Sequence, residues 1–177
     1  VWADERLLSF VPQRVIDAAS RRSTRVPKEE YHHITVAQSV HALHDRGVNV
    51  QIGAHGQREG LAAHWEIWMM GQGGMTPHQA LRVATLEGAQ YLGLEGDIGS
   101  IQVGKLADIL VIEGDVLSDL RKSSTVEWTI LGGRIYDAET MNQLAPFKTS
   151  VLPMYFQKEG YGSPTLLNSS QCGCSRH

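Results

Sequence analysis

The side chains best able to move a proton or hold a charged ligand crowd into one stretch: His55, Gln57, Arg58, Glu59, His64 and Glu66. A histidine ligates zinc through a ring nitrogen and also exchanges protons near neutral pH. Arg58 can grip a carboxylate with two parallel hydrogen bonds. Glu59 offers a carboxylate that can act as an acid or base. Polar groups this dense, directly after the apolar run Val48–Ile52, suit a small-molecule pocket. The alternative for Gln57, Arg58, Glu59, His64 and Glu66 is a capping or solvated role, and for His55 a hydrogen bond to loop backbone. His64 and Glu66 are two apart, so on a helix they point in different directions, which argues against one shared site.

Other combinations are weaker. His41 and His44 stand three apart on one helical stretch, close enough to share a metal, but Asp45 is the one carboxylate beside them, and surface positions explain them better. His32-His33 reads as a helix lead-in, and His78 as an exposed helix residue. Cys172-Gly173-Cys174 and His177 could hold a soft metal, but a structural zinc needs a fourth ligand and no second Cys/His pair accompanies them. Arg21, Arg22 and Arg25 form a basic loop that reads as solvated charge.

The elements that must position these groups can be read from periodicity and punctuation. Val36, Val40 and Leu43 share a helical face between Ile34 and Arg46, and Gly47 suits the left-handed residue after that helix. Val48 to Ile52 then reads as a buried strand ended by Gly53. A second helix covers 59–72, with Leu61, Trp65, Trp68 and Met69 on one side and Gly73-Gly74 as its stop. A third covers 77–91: Thr76 is its N-cap, Pro77 fits the first turn, and Gln79 can close a capping box. Ala80, Ala84 and Gly88 make a small-residue stripe along it that permits close packing. After Gly99 the period becomes that of strands, at Leu106–Ile112, Val126–Leu131 and Arg134–Tyr136. Gly132-Gly133 is a two-residue hairpin turn. The pattern fades into an irregular tail over 146–177.

The bulk numbers narrow the field. A chain of 177 residues with 42% hydrophobic and 20% charged residues can bury a core. Its net charge of −3 gives no electrostatic reason to expect nucleic acid or an anionic membrane as partner. No apolar run approaches the ~18–20 residues that span a bilayer. A start at Val1 without an initiator Met or signal-peptide core is expected of a partial reading frame.

A set of motifs then points to a family. Gly71-Gln72-Gly73-Gly74-Met75-Thr76-Pro77 leads to Ala84-Thr85 and Gly88-Ala89. Gly99-Ser100-Ile101-Gln102-Val103-Gly104-Lys105-Leu106-Ala107-Asp108 follows. This order resembles the C-terminal part of metal-dependent amidohydrolases of the imidazolonepropionase or prolidase-like kind. Gly53-Ala54-His55-Gly56-Gln57-Arg58-Glu59-Gly60 is similar to a stretch in the amidohydrolases fused behind a TolB-like β-propeller. The resemblance implies an α/β fold, the C-terminal fragment of a TIM-barrel enzyme with part of the adjoining small β-domain. Residues 1–98 would belong to the barrel, with its last strand near 48–53, and 99–145 would supply strands of the small domain.

It also implies hydrolysis of C–N bonds in a small amide- or peptide-like substrate, aided by a divalent metal such as zinc whose principal ligands lie upstream. The isolated chain is then expected to be inactive and to bind no metal by itself. The Gly-Lys-x-Ala-Asp motif marks ancestry and no catalytic group. TIM-barrel enzymes carry their reactive groups at the C-terminal ends of the strands. The resemblance places His55 there, where these enzymes usually have a metal-binding aspartate. His55 is thus a candidate metal ligand and catalytic residue, with Glu59 a candidate replacement acid and Gln57, Arg58 and His64 candidate substrate contacts. The alternative is a non-catalytic binding or scaffold module derived from the same fold. An incomplete barrel exposes a strand edge, so self-association into a homo-oligomer is expected as well.

Overall fold

The structure, a computed structural model, describes residues 5–20, 26–55, 58 and 60–158 of the chain. They fall into two compact units, one built from Val1–Arg21 with Val151–His177 and the other from Arg22–Ser150. In the first, α1 (Glu5–Phe10) and α2 (Gln13–Ser20) bury Leu7, Val11 and Ile16, and a 3-10 turn at Tyr155–Gln157 donates from Gln157 Nε2 to the Ser9 carbonyl over 3.0 Å. The cysteine-containing end and the basic loop at Arg21, Arg22 and Arg25 lie outside the described residues.

The second unit carries the rest. Helix α3 covers His32–His44, and Gly47, at φ 80, turns the chain after it as its position predicts. The buried residue of α3 is Ala37, whereas Val36 and Leu43 are exposed. Of the apolar face read from the sequence, Val40 packs against the core while its two companions do not. The reason is Gly73: a Cβ there would come within 2.5 Å of the Ala37 carbonyl carbon, so the two backbones touch and turn Ala37 inward.

Residues 48–54 form neither helix nor strand after α3; Val50, Ile52 and Ala54 are half-buried and Gln51 and Gly53 exposed, the two-residue alternation of a strand. No strand pairs with this run among the described residues. Its inward side chains, Val50 and Ile52, pack against the core of Ile67, Met70, Met75, Ala80 and Val83.

Helix α4 spans Leu61–Gln72, entered at Gly60 with φ 70 and left at Gly73. Its buried residues are Ala62, Ile67 and Met70 rather than a Leu61–Trp65–Trp68–Met69 stripe, because α3, α5 (Pro77–Ala84) and a 3-10 turn at Leu120–Ser124 all pack on it. A helix covered on several sides has no single apolar face to display. The N-terminus of α5 follows its sequence signature: Gln79 N–H donates to Thr76 Oγ1 over 3.3 Å, and Thr76 N–H donates back to Gln79 Oε1 over 2.8 Å. The expected helix to residue 91 is broken at Thr85, giving α5 and then α6 (Leu86–Leu92). Thr85 Oγ1 donates to the Leu81 carbonyl over 2.7 Å, the back-bond by which threonine bends a helix.

The loop after α6 explains the family-marking motif. Gly99 and Gly104 have φ of 85 and 97, as their positions require. Lys105 Nζ donates to the Glu95 and Ile98 carbonyls and to Ser100 Oγ, tying the loop together. Asp108 accepts from Gly132 N–H over 2.7 Å, so both charged residues of the motif staple backbone. The strands β1 (Ile109–Ile112), β2 (Val126–Leu131), β3 (Arg134–Asp137) and β4 (Gln143–Ala145) form an antiparallel sheet in sequence order. Leu131 pairs with Arg134 across Gly132 and Gly133, both at positive φ, the two-residue hairpin read from the sequence. The short β4 carried no such punctuation and is an addition.

Candidate functional site

The loop between residues 48–54 and α4 holds His55. Its side chain is exposed and its φ is 53, a left-handed conformation that few side-chain-bearing residues adopt and that histidine tolerates better than most. Backbone held in such a region clusters at functional sites. Just before it, the Gly53 N–H donates to Glu66 Oε2 over 2.6 Å, a charge-assisted bond that fastens the loop to α4. Arg58 is half-buried, and its carbonyl accepts from the Ala62 N–H at the start of α4 over 3.0 Å. Gln57 and Glu59, the other two candidates of this stretch, lie outside the described residues.

His64 sits one turn into α4 and is committed elsewhere. Ser123, only 2% exposed, places its Oγ 3.1 Å from Trp68 Nε1 and 3.2 Å from His64 Nδ1. The indole N–H can only donate, so the serine oxygen accepts from Trp68, and it meets His64 Nδ1 with its own proton or its second lone pair according to the imidazole tautomer. Burial pushes His64 below its ordinary value of 6.5, which keeps the ring neutral and able to accept. A substrate could use only its Nε2. His64 and Trp68 are four apart and share one face, while Glu66 reaches another way to Gly53. The two-residue spacing of His64 and Glu66 thus separates their tasks, as the sequence indicates.

Beside this junction Trp68, Gln72, Met75, Asp119 and Arg121 line an open groove of about 370 Å³, with the Arg121 guanidinium 5.3 Å from the Trp68 ring centre. Ser123, Trp68 and Arg121 are the participants the sequence did not single out. Nothing in their local spacing ties residue 68 to residue 123; the contact exists only once the 3-10 turn folds back on α4.

His33 and His44 act as struts. His33 Nε2 donates to Gln72 Oε1 over 3.0 Å, and His44 Nε2 donates to the buried Glu87 carboxylate over 3.1 Å, with Arg82 Nε 3.5 Å from the same oxygen. His44 is therefore an internal tie between α3 and α6 rather than a surface group. His41 lies 3.5 Å from Asp45, and His78 is exposed as expected.

The resemblance implies a divalent metal. Among the described residues no three His, Cys, Asp or Glu side chains form a group that could hold one. These residues therefore do not fit a complete metal centre.

Comparison with known proteins gives the arrangement its relatives. The amidohydrolase family profile matches residues 18–136. The chain is 40% identical to a 5'-deoxyadenosine deaminase of Methanobrevibacter smithii over 68 residues, 38% of this chain and 15% of that protein. It is 34% identical to a 5-methylthioadenosine/S-adenosylhomocysteine deaminase of Moorella thermoacetica over 112 residues, 50% of this chain and 26% of that protein. In three dimensions it resembles a Xaa-Pro dipeptidase solved with methionine in its active site, with a TM-score of 0.52 and 27% identity over 58% of this chain and 25% of that one. The chain thus spans about a quarter or less of the length of these relatives. With the profile running across more than half of its residues, the chain belongs to the amidohydrolase family.

Proposed function

We propose that these residues are the C-terminal part of a metal-dependent hydrolase that cleaves a C–N bond in a small amide- or peptide-like molecule. The observation that carries the reading is the family match over 18–136. The similar proteins named above, deaminases and a dipeptidase, agree in breaking C–N bonds and differ in substrate, so the bond type is the common denominator. A metal, when bound, polarises the substrate and activates water; its principal ligands lie outside the described residues. The contribution of this chain is local. His55 moves a proton in the loop and offers a metal ligand there, Glu59 supplies a carboxylate, and Gln57, Arg58 and the Nε2 of His64 contact the substrate. A non-catalytic binding module is the second reading, favoured by His55 standing where the resemblance places an aspartate: an imidazole brings no negative charge to a metal-bound nucleophile.

Turnover decides between them. The 177-residue chain, incubated with zinc and a panel of Xaa-Pro dipeptides and 5'-deoxyadenosine, is expected to be inactive, and robust hydrolysis would overturn its assignment as one part of a larger catalyst. A longer protein carrying it is expected to hydrolyse a member of that panel. In that protein His55→Ala should lower kcat by about two orders of magnitude, the usual contribution of a proton-transferring side chain. Full activity in His55→Ala, or a metal-free longer protein without turnover, would favour the binding module.

A further inference from the structure

Glu66 has so far been a helix residue with one bond, yet that bond reaches the loop on which the proposed chemistry depends. Its Oε2 lies 2.6 Å from the Gly53 nitrogen, thirteen residues back along the chain. Gly53 is exposed, so water could satisfy its N–H; the carboxylate takes that place instead. Two residues on, His55 is held at φ 53. A turn of this kind persists only where surrounding bonds determine it. The helix that carries Glu66 is itself fixed, by His64 and Trp68 on Ser123 at one face and by the Gly73–Ala37 backbone contact at its C-terminal end. Glu66 therefore transfers the rigidity of a packed helix to an exposed loop, the support that a working side chain on a loop requires.

We infer that Glu66 is a positioning residue: its carboxylate clamps Gly53 and thereby sets the turn that presents the His55 imidazole. This rests on the reading of His55 given above. The test is nuclear magnetic resonance on the 177-residue chain. In the unsubstituted chain the Gly53 amide proton should be shifted downfield and slow to exchange. Glu66→Gln keeps an acceptor oxygen and should preserve the exchange protection and the His55 backbone coupling. Glu66→Ala should lose all of these, with the helical circular dichroism unchanged. A Gly53 amide that exchanges freely in the unsubstituted chain overturns the role of Glu66. So do unchanged Gly53 and His55 signals in Glu66→Ala. Unchanged turnover in His55→Ala of the longer protein instead overturns the reading beneath it, so the two failures are distinguishable. The measurement on the unsubstituted chain stands even if a variant fails to fold.

Discussion

Ser123 is a single hydroxyl shared by two side chains of α4, and it has no access to water that could replace them. Ser123→Ala leaves the Trp68 N–H without its acceptor and His64 Nδ1 without its partner, and should cost about 1–3 kcal/mol in urea unfolding. His64 adds a pH dependence whose sign follows from its lowered pKa. The folded state resists protonating the ring, while the unfolded chain takes up a proton at the ordinary value of 6.5. Stability from this group is full above 6.5 and is lost progressively as pH falls below it toward the folded value. Urea midpoints at pH 7.5 and 5.5 should show the drop, and His64→Gln should flatten it. At this scale the sequence was partly legible. It picked out His55, Arg58, His64 and Glu66 as a dense polar stretch, and the two-residue spacing showed that His64 and Glu66 point in different directions. It could not assign a partner to His64, because Ser123 is fifty-nine positions away and carries no pattern of its own.

Helix α5 shows what short-range chemistry can reveal. Thr76, Pro77 and Gln79 specify its start by contacts within four residues, so the cap was readable before any fold was known. Thr76→Ala should cost about 1 kcal/mol, measured as a shift in unfolding midpoint. Small residues tell the opposite story. Gly88, the glycine of the stripe read along the third helix, has nothing within 4 Å of a built Cβ, whereas one on Gly73 would meet the Ala37 backbone at 2.5 Å. Gly88→Ala should therefore be neutral or stabilise by up to about 1 kcal/mol through helix propensity. Gly73→Ala should destabilise by about 1–3 kcal/mol through overpacking. A comparison of the two melting curves checks both. Helical spacing shows which residues share a side; it cannot show which side meets another backbone, and that choice also fixed Ala37 rather than Val36 and Leu43 as the buried part of α3.

Across the whole molecule, burial is uneven. The tight core joins α4 and α5 through Ile67, Met70, Met75, Ala80 and Val83, while none of the residues in β1–β4 is fully buried. Amide hydrogen exchange should therefore be slowest in α4 and α5 and markedly faster in the sheet, since local opening follows the density of buried contacts. The order of elements was legible because motifs such as Gly104-Lys105-Leu106-Ala107-Asp108 mark turns by local backbone chemistry. The state of residues 48–54 was less so: their alternation is that of a strand, but pairing depends on neighbours that periodicity does not report. No helix among the described residues is long and apolar enough to cross a membrane. One feature links these regions. The 12 residues of α4 make a rod about 18 Å long, gripped along one side by the 3-10 turn between β1 and β2 and, through Glu66, holding the histidine loop on another. The 3-10 turn and the histidine loop therefore share one support, and a change at Ser123 can reach the loop only through α4 and the Glu66 side chain.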